Sequence, residues 1–129
     1  MDNLERSFEK MTDSIKDVAI MAADSADDKK AKDIKVLEVK DLTIIADYFV
    51  ICSGKSEVQV QAIARGIEED LSDEGIEPKK VAGTNEGRWI LIDYADVIIH
   101  VFHEKERDYY EIERLWADAE KILRSEESE

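Results

Sequence analysis

A single cysteine, Cys52, leaves this chain with no internal disulfide and no multi-cysteine zinc or iron–sulfur site. Set in an apolar run, the thiol reads as a small buried hydrophobe, and its isolation points to a reducing compartment. One proline and five glycines mean that turns are made mostly by Asp, Asn and Ser. No apolar stretch approaches the ~18–20 residues of a membrane helix. The start, MDNLERSFEK, has neither the apolar segment of a secretory signal nor the Arg/Ser bias of a transit peptide. The expected location is therefore the cytoplasm, with no membrane partner. Positive charge is also short: 32 Asp+Glu against 18 Lys+Arg give a net charge of −14. Such a field repels nucleic-acid phosphate and argues against sequence-specific nucleic-acid binding. It favours encounter with a basic partner, although a merely soluble surface explains the same surplus.

The 129 residues, 43% of them apolar, suit one domain with a real core. That domain is expected to span 1–129, with 1–7 and 125–129 flexible. Phe8, Met11, Ile15, Val18 and Ala22 form the apolar stripe of a first helix, ending at the polar stretch Asp24–Asp28. Asp33–Val39 is a β-branched strand, and Thr43–Ala46 a connector. Tyr48–Cys52 is a continuous apolar run, as in a strand covered on both faces. Ser56 opens a helix through the capping box Ser56-Glu57-Val58-Gln59. Val60, Ile63, Ala64, Ile67 and Leu71 are its buried stripe, Gly75 its C′ residue, and Pro78 blocks continuation. A strand, a helix and a further strand make the connection that parallel pairing requires. Lys79–Ala82 is a short strand. Trp89–Asp93 and Val97–His103 form a hairpin around Asp93-Tyr94-Ala95-Asp96. A last helix carries Ile112, Leu115, Trp116, Ala119, Ile122 and Leu123 on one face, before an acidic tail. The order α-β-β-α-β-β-β-α predicts an α/β (mixed α+β) fold, a single mixed sheet with flanking helices.

Catalytic groupings are hard to find. Gly54-Lys55-Ser56, where a strand meets a helix N-terminus, reads first as a turn with an N-cap and second as an anion site. It is not a P-loop, because GxxxxGK[ST] is absent. A nucleotidyltransferase needs two carboxylates one residue apart on a strand to grip Mg²⁺. The acids after this turn, Glu68, Glu69 and Asp70, lie on the helix, and Asp93 and Asp96 flank a turn. His100 and His103, three apart on a strand, point to opposite faces and cannot share a metal. One is expected buried and hydrogen-bonded, the other exposed. No catalytic residue, metal or cofactor is expected. Trp89, Tyr94, Tyr109 and Tyr110 cluster beside Arg88, Asp93, Asp96 and Arg107, the mixture an interaction hot spot needs. Core packing is the competing reading, evenly matched at Tyr109 and favoured at Trp116.

Three blocks in order, ADYFVICSGKSEVQVQAIARGIE (Ala46–Glu68), RWILIDYADVIIHVFHE (Arg88–Glu104) and RDYYEIERLWADA (Arg107–Ala119), resemble the Iojap or ribosomal silencing factor (RsfS) family. The resemblance covers about Met11 to Leu123. It implies a mixed sheet with flanking helices, nucleotidyltransferase-like but without the catalytic carboxylates. It further implies a non-enzymatic factor that binds the large ribosomal subunit through its L-series protein number fourteen. That factor blocks joining of the small subunit and represses translation when nutrients are short. Contacts carried over onto this chain are Trp89, Asp93, Tyr94, Asp96, Tyr109 and Tyr110, and a homodimer is implied when the protein is free. The alternative function is a nucleotidyltransferase-like nucleotide-binding or enzymatic domain using the Gly54–Ser56 turn. Two departures stand out. Ala82 replaces a usual Glu, with Glu86 a possible substitute, and Ala95 replaces a usual Gly, which disfavours a turn with φ > 0 there.

Overall fold

A computed structural model describes the backbone of residues 3–124 and the side chains of 15–122. The expected tail 125–129, residues 1–2 and the side chains of Phe8 and Met11 lie outside the described residues. The order is α1 (Asn3–Asp28), β1 (Lys32–Glu38), β2 (Tyr48–Gly54), α2 (Glu57–Asp73), β3 (Lys80–Ala82), β4 (Trp89–Asp93), β5 (Val97–His103), α3 (Glu104–Tyr110), α4 (Ile112–Leu115) and β6 (Glu120–Arg124). The six strands form one mixed sheet in the order β3-β4-β5-β2-β1-β6. Only β2 and β5 run parallel. They are also the central pair, and burial on both faces explains their unbroken apolar runs.

The period-2 alternation of the strands sorts two cores. Val36, Val50, Cys52, Ile90, Ile92, Ile99 and Val101 face α1 and α2. Leu37, Phe49, Ile51, Ile98 and Phe102 face the other way, under Ile112 and Ala119. The first helix presents Ala19, Ala22, Ala23 and Ala26, all buried. It runs through the polar stretch expected to end it, because Ser25 donates its hydroxyl to Asp70 of α2 at 2.6 Å and Ala26 still packs inward. Lys30, at φ 68, then closes it, with Ala31 N–H donating to the Ala26 carbonyl.

The second helix follows its expectation closely. Ser56 Oγ accepts from the Gln59 N–H, a cap worth ~1 kcal/mol. Gln59 reaches back one residue further than the usual box, accepting from the Lys55 N–H at 2.7 Å. At the other end Gly75, at φ 80, makes a Schellman closure, with Ile76 N–H on the Leu71 carbonyl and Gly75 N–H on that of Ser72.

The expected last helix does not exist as one element. Only Ile112–Leu115 of that stretch is helical, as α4; an unexpected short helix, α3, precedes it, and Glu111, left-handed at φ 48, separates the two. The chain then joins the free edge of β1 as antiparallel strand β6. The single-face stripe is dispersed accordingly. Ile112 and Ala119 pack on one core, Ile122 on the other, and Leu115 is exposed. Residues 112–124 are mostly good helix formers, so tertiary pairing overrides local propensity here: the open N–H and C=O groups of β1 take the segment as a strand. The hairpin corrects a second expectation: Ala95 adopts φ 75 despite its Cβ. Asp93 Oδ1 accepts from the Ala95 N–H at 2.7 Å, and Asp96 N–H closes on the Tyr94 carbonyl at 2.9 Å. This is the uncommon γ-turn, held by the aspartate where glycine would adopt it freely.

Candidate interaction surface

Beneath the sheet, cover is uneven. Ile112, Trp116 and Ala119 shield the β1–β2 side, whereas toward β4 Trp89 and Leu91 are half-buried. Trp89 pairs with Phe102 across the β4–β5 ladder, and their rings lie 4.7 Å apart. Tyr110 comes over the same indole at 5.0 Å, and Tyr109 meets Tyr110 edge-on, also at 5.0 Å. Tyr109 is 77% exposed and Tyr110 49%. The three residues thus form a continuous aromatic ridge grading from half-buried to open.

Two devices hold it. The first is His100, buried among Phe49, Phe102 and Trp89. Its Nδ1 accepts from Trp89 Nε1–H at 3.2 Å, which fixes the neutral tautomer and the indole's orientation. Burial pushes the imidazole down to about 4. Its Nε2 has no hydrogen-bond partner among the described residues. The expectation of one buried, hydrogen-bonded histidine therefore holds, whereas the other is not fully exposed as expected. His103 is only half-buried and caps α3, its Nδ1 accepting from the Lys105 N–H at 3.2 Å.

The second device is the buried Arg107. Its guanidinium donates to Ser53 Oγ at 2.8 Å and to Glu113 Oε2 at 2.6 and 3.1 Å. Lys35 reaches the same Glu113 oxygen at 3.1 Å. Burial pushes the Glu113 carboxyl up, but hydrogen bonds and charge from Arg107 and Lys35 outweigh it and hold the group at about 2. This network ties α3, which carries both tyrosines, to β1, β2 and α4. Outside it, Arg88 bridges Glu106 at 2.6 Å and Glu57 at 2.9 Å.

The other named residues sit elsewhere. Asp93 and Asp96 lie at the opposite end of β4 from Trp89, Asp96 exposed and Asp93 committed in part to the turn. Tyr94 packs against the α1–α2 core, away from the ridge. Burial first, then Glu68 and Glu77, push its hydroxyl up to about 12. Gly83, at φ 85, is required where it stands, because a Cβ would come within 2.1 Å of the Trp89 carbonyl oxygen. Ala82 and Glu86 are exposed around it.

The Gly54–Ser56 turn offers little to a phosphate. Ser56 Oγ is spent on the cap, and the Lys55 N–H is held by Gln59. Asp70 takes the Ser25 hydroxyl, and no group of three or more His, Cys, Asp or Glu among the described residues is arranged to hold a metal ion. Cys52 is buried as expected, its thiol pushed up to about 12 by burial. No helix among the described residues is long and apolar enough to cross a membrane. Sequence reasoning missed the Trp89–His100 bond, the Arg107–Glu113 network and β6. Trp89, one of the two histidines and Arg107 stand out individually in the sequence, but nothing there pairs them with their partners.

Known proteins resemble this chain consistently. The family described as ribosomal silencing factor during starvation matches residues 12–129. The ribosomal silencing factor RsfS of Bacillus subtilis is 49% identical over 104 residues, 81% of this chain and 88% of that protein. The chloroplastic protein Iojap of Zea mays is 30% identical over 104 residues, 81% of this chain and 45% of its own length. A crystal structure from Bacillus halodurans matches with TM-score 0.72 and 44% identity, covering 78% of this chain and 94% of that one. Another, from Chromobacterium violaceum, matches with TM-score 0.78 and 32% identity, covering 87% and 92%.

Proposed function

The chain belongs to the ribosomal silencing factor (RsfS) family, and from that premise we propose that it acts in the cytoplasm by binding the large ribosomal subunit through its L-series protein number fourteen. Occupying that surface blocks joining of the small subunit and represses translation when nutrients are limiting. The protein is a regulatory binder; its relatives are named for silencing, not for a reaction. The observation that supports this reading is the Trp89–Tyr110–Tyr109 ridge, half-covered and braced from behind. Aromatic side chains of this kind, rigid and partly desolvated, are what anchor protein interfaces. Asp93 and Asp96 supply acidic contacts for a basic partner, and Tyr94 supports their hairpin from inside. When free, the protein covers the face near Trp89 by forming a homodimer.

Co-sedimentation with purified large subunits tests the reading. Trp89→Ala is expected to weaken binding about thirtyfold, ~2 kcal/mol. It also leaves His100 Nδ1 without its donor, so its folding must be checked in parallel. Tyr109→Ala is the cleaner probe, since that ring is 77% exposed and its loss costs the fold little. Wild-type affinity in a folded Tyr109→Ala, Tyr110→Ala double variant would remove the ridge from the interface.

A further inference from the structure

The connector between β1 and β2 is not a plain turn. Leu42 is 47% exposed, Ile45 62%, and Ile44 projects wholly into solvent. Three aliphatic residues within four positions, all turned outward, are not scattered surface apolarity. Nor is the loop loose. Leu42 and Thr43 N–H both donate to the Val39 carbonyl, Ile45 N–H donates to Thr43 Oγ1 at 3.1 Å, and Val39 N–H closes the neck on the Asp47 carbonyl. Ala46 is buried in the lower core. Backbone bonds and Thr43 therefore shape the loop, and the fold makes no use of the three aliphatic side chains.

Its place in the molecule narrows the partner. Asp47 and Tyr48 N–H both donate to the Asp96 carbonyl, so the loop is bonded directly to the hairpin that carries Asp93 and Asp96. Asp41 is exposed on the loop itself. Lys40, beside Asp41, is paired with Glu38, so an aliphatic tip with Asp41 on its own loop and Asp96 on the adjoining hairpin fits a basic surface containing an apolar hollow. A two-fold contact centred on this tip would set Asp41 against its own copy, which like charge disfavours. The five residues of β4 separate Trp89 from Asp93 by ~13 Å. The hairpin to which the loop is bonded therefore lies within the span of one ordinary interface of ~800 Å² per partner centred on the ridge.

We infer that the Leu42–Ile45 tip is a second anchor for the same basic protein partner that the aromatic ridge contacts, an inference that rests on the function proposed above. Ile44 inserts into the partner while Asp41 and Asp96 meet its cations.

The test compares large-subunit binding by the wild type, Ile44→Asp, the pair Ile44→Ser with Ile45→Ser, and Val58→Ser. Val58 is an equally exposed aliphatic residue at the start of α2, at the far end of β2 from the loop. Thermal melts should coincide for all four, because none of these side chains is buried. Both tip variants are expected to bind at least tenfold more weakly, and Val58→Ser unchanged. Wild-type affinity in folded tip variants overturns the inference while leaving the proposed function standing. So does a change of oligomeric state at unchanged affinity, which would make the tip a self-association contact. Failure of the wild type to bind large subunits overturns the proposed function and this inference with it.

Discussion

Trp89 and His100 show how one hydrogen bond couples fold to surface. The indole needs an acceptor at its buried end, and a neutral imidazole supplies one. Folded His100 stays neutral down to about pH 4, whereas the unfolded imidazole gains a proton near 6.5. In that window the unfolded chain binds more protons, so this contribution is complete above pH 6.5 and is lost as pH falls through 4. The difference is worth roughly 3 kcal/mol. Unfolding midpoints followed from pH 7 to 4 should fall for the wild type and stay flatter for His100→Phe, which fills similar volume without titrating. Parallel curves would mean that His100 is not the group responsible. Ala95 makes the opposite kind of point. Its φ of 75 is costly for any residue with a Cβ. Ala95→Gly should therefore raise stability by about 0.5 kcal/mol, after the extra freedom of glycine in the unfolded chain is offset. A lower melting temperature for this variant would show that the aspartate-held turn carries no strain.

At the scale of elements, legibility in the sequence followed how local the determinants are. The second helix was readable to within a residue because its cap, stripe and C′ glycine all lie within it. The central strands were readable because burial on both faces leaves an unbroken apolar run. The segment after Tyr110 was not, since its conformation depends on distant partners: Arg107 on Ser53 and Glu113, and β6 on the edge of β1. Periodicity placed Ile112, Ala119 and Ile122 on one helical face, where the structure distributes them over two cores. The candidate surface was half legible for the same reason. Trp89, Tyr109 and Tyr110 are recognisable by type, but their assembly and the departure of Tyr94 to the other face are long-range facts. Glu113 is the keystone of that segment. Glu113→Gln leaves Arg107 buried without its counter-charge, at an expected cost of about 3 kcal/mol in denaturant unfolding. The wild-type contribution is present above pH 4.5 and lost as pH falls through about 2, below the His100 window. A cost under 1 kcal/mol would show that solvent reaches Arg107 and that the pair does not hold α3.

For the whole molecule, the proposed function combines a net charge of −14 with a braced aromatic ridge. Long-range attraction and short-range anchoring should therefore separate kinetically. Asp93→Asn with Asp96→Asn removes charge near the surface and should slow association with large subunits several-fold, an effect that shrinks as salt rises. Tyr109→Ala should act mainly on dissociation, because an anchor is felt after docking. If both variants change only dissociation, steering by the acidic field is not operating. The same reasoning sets the stoichiometry of silencing. A protein that only occupies a surface shifts an equilibrium by binding one state, so free large subunits should accumulate in proportion to bound protein. If the proposed partner surface is the one that subunit joining covers, joined ribosomes should resist until their subunits separate. Gradient sedimentation of purified subunits against increasing protein measures both. Substoichiometric arrest of joining, or covalent change in ribosomal RNA or protein, would mean turnover. It would return attention to the Gly54–Ser56 turn as a catalytic element.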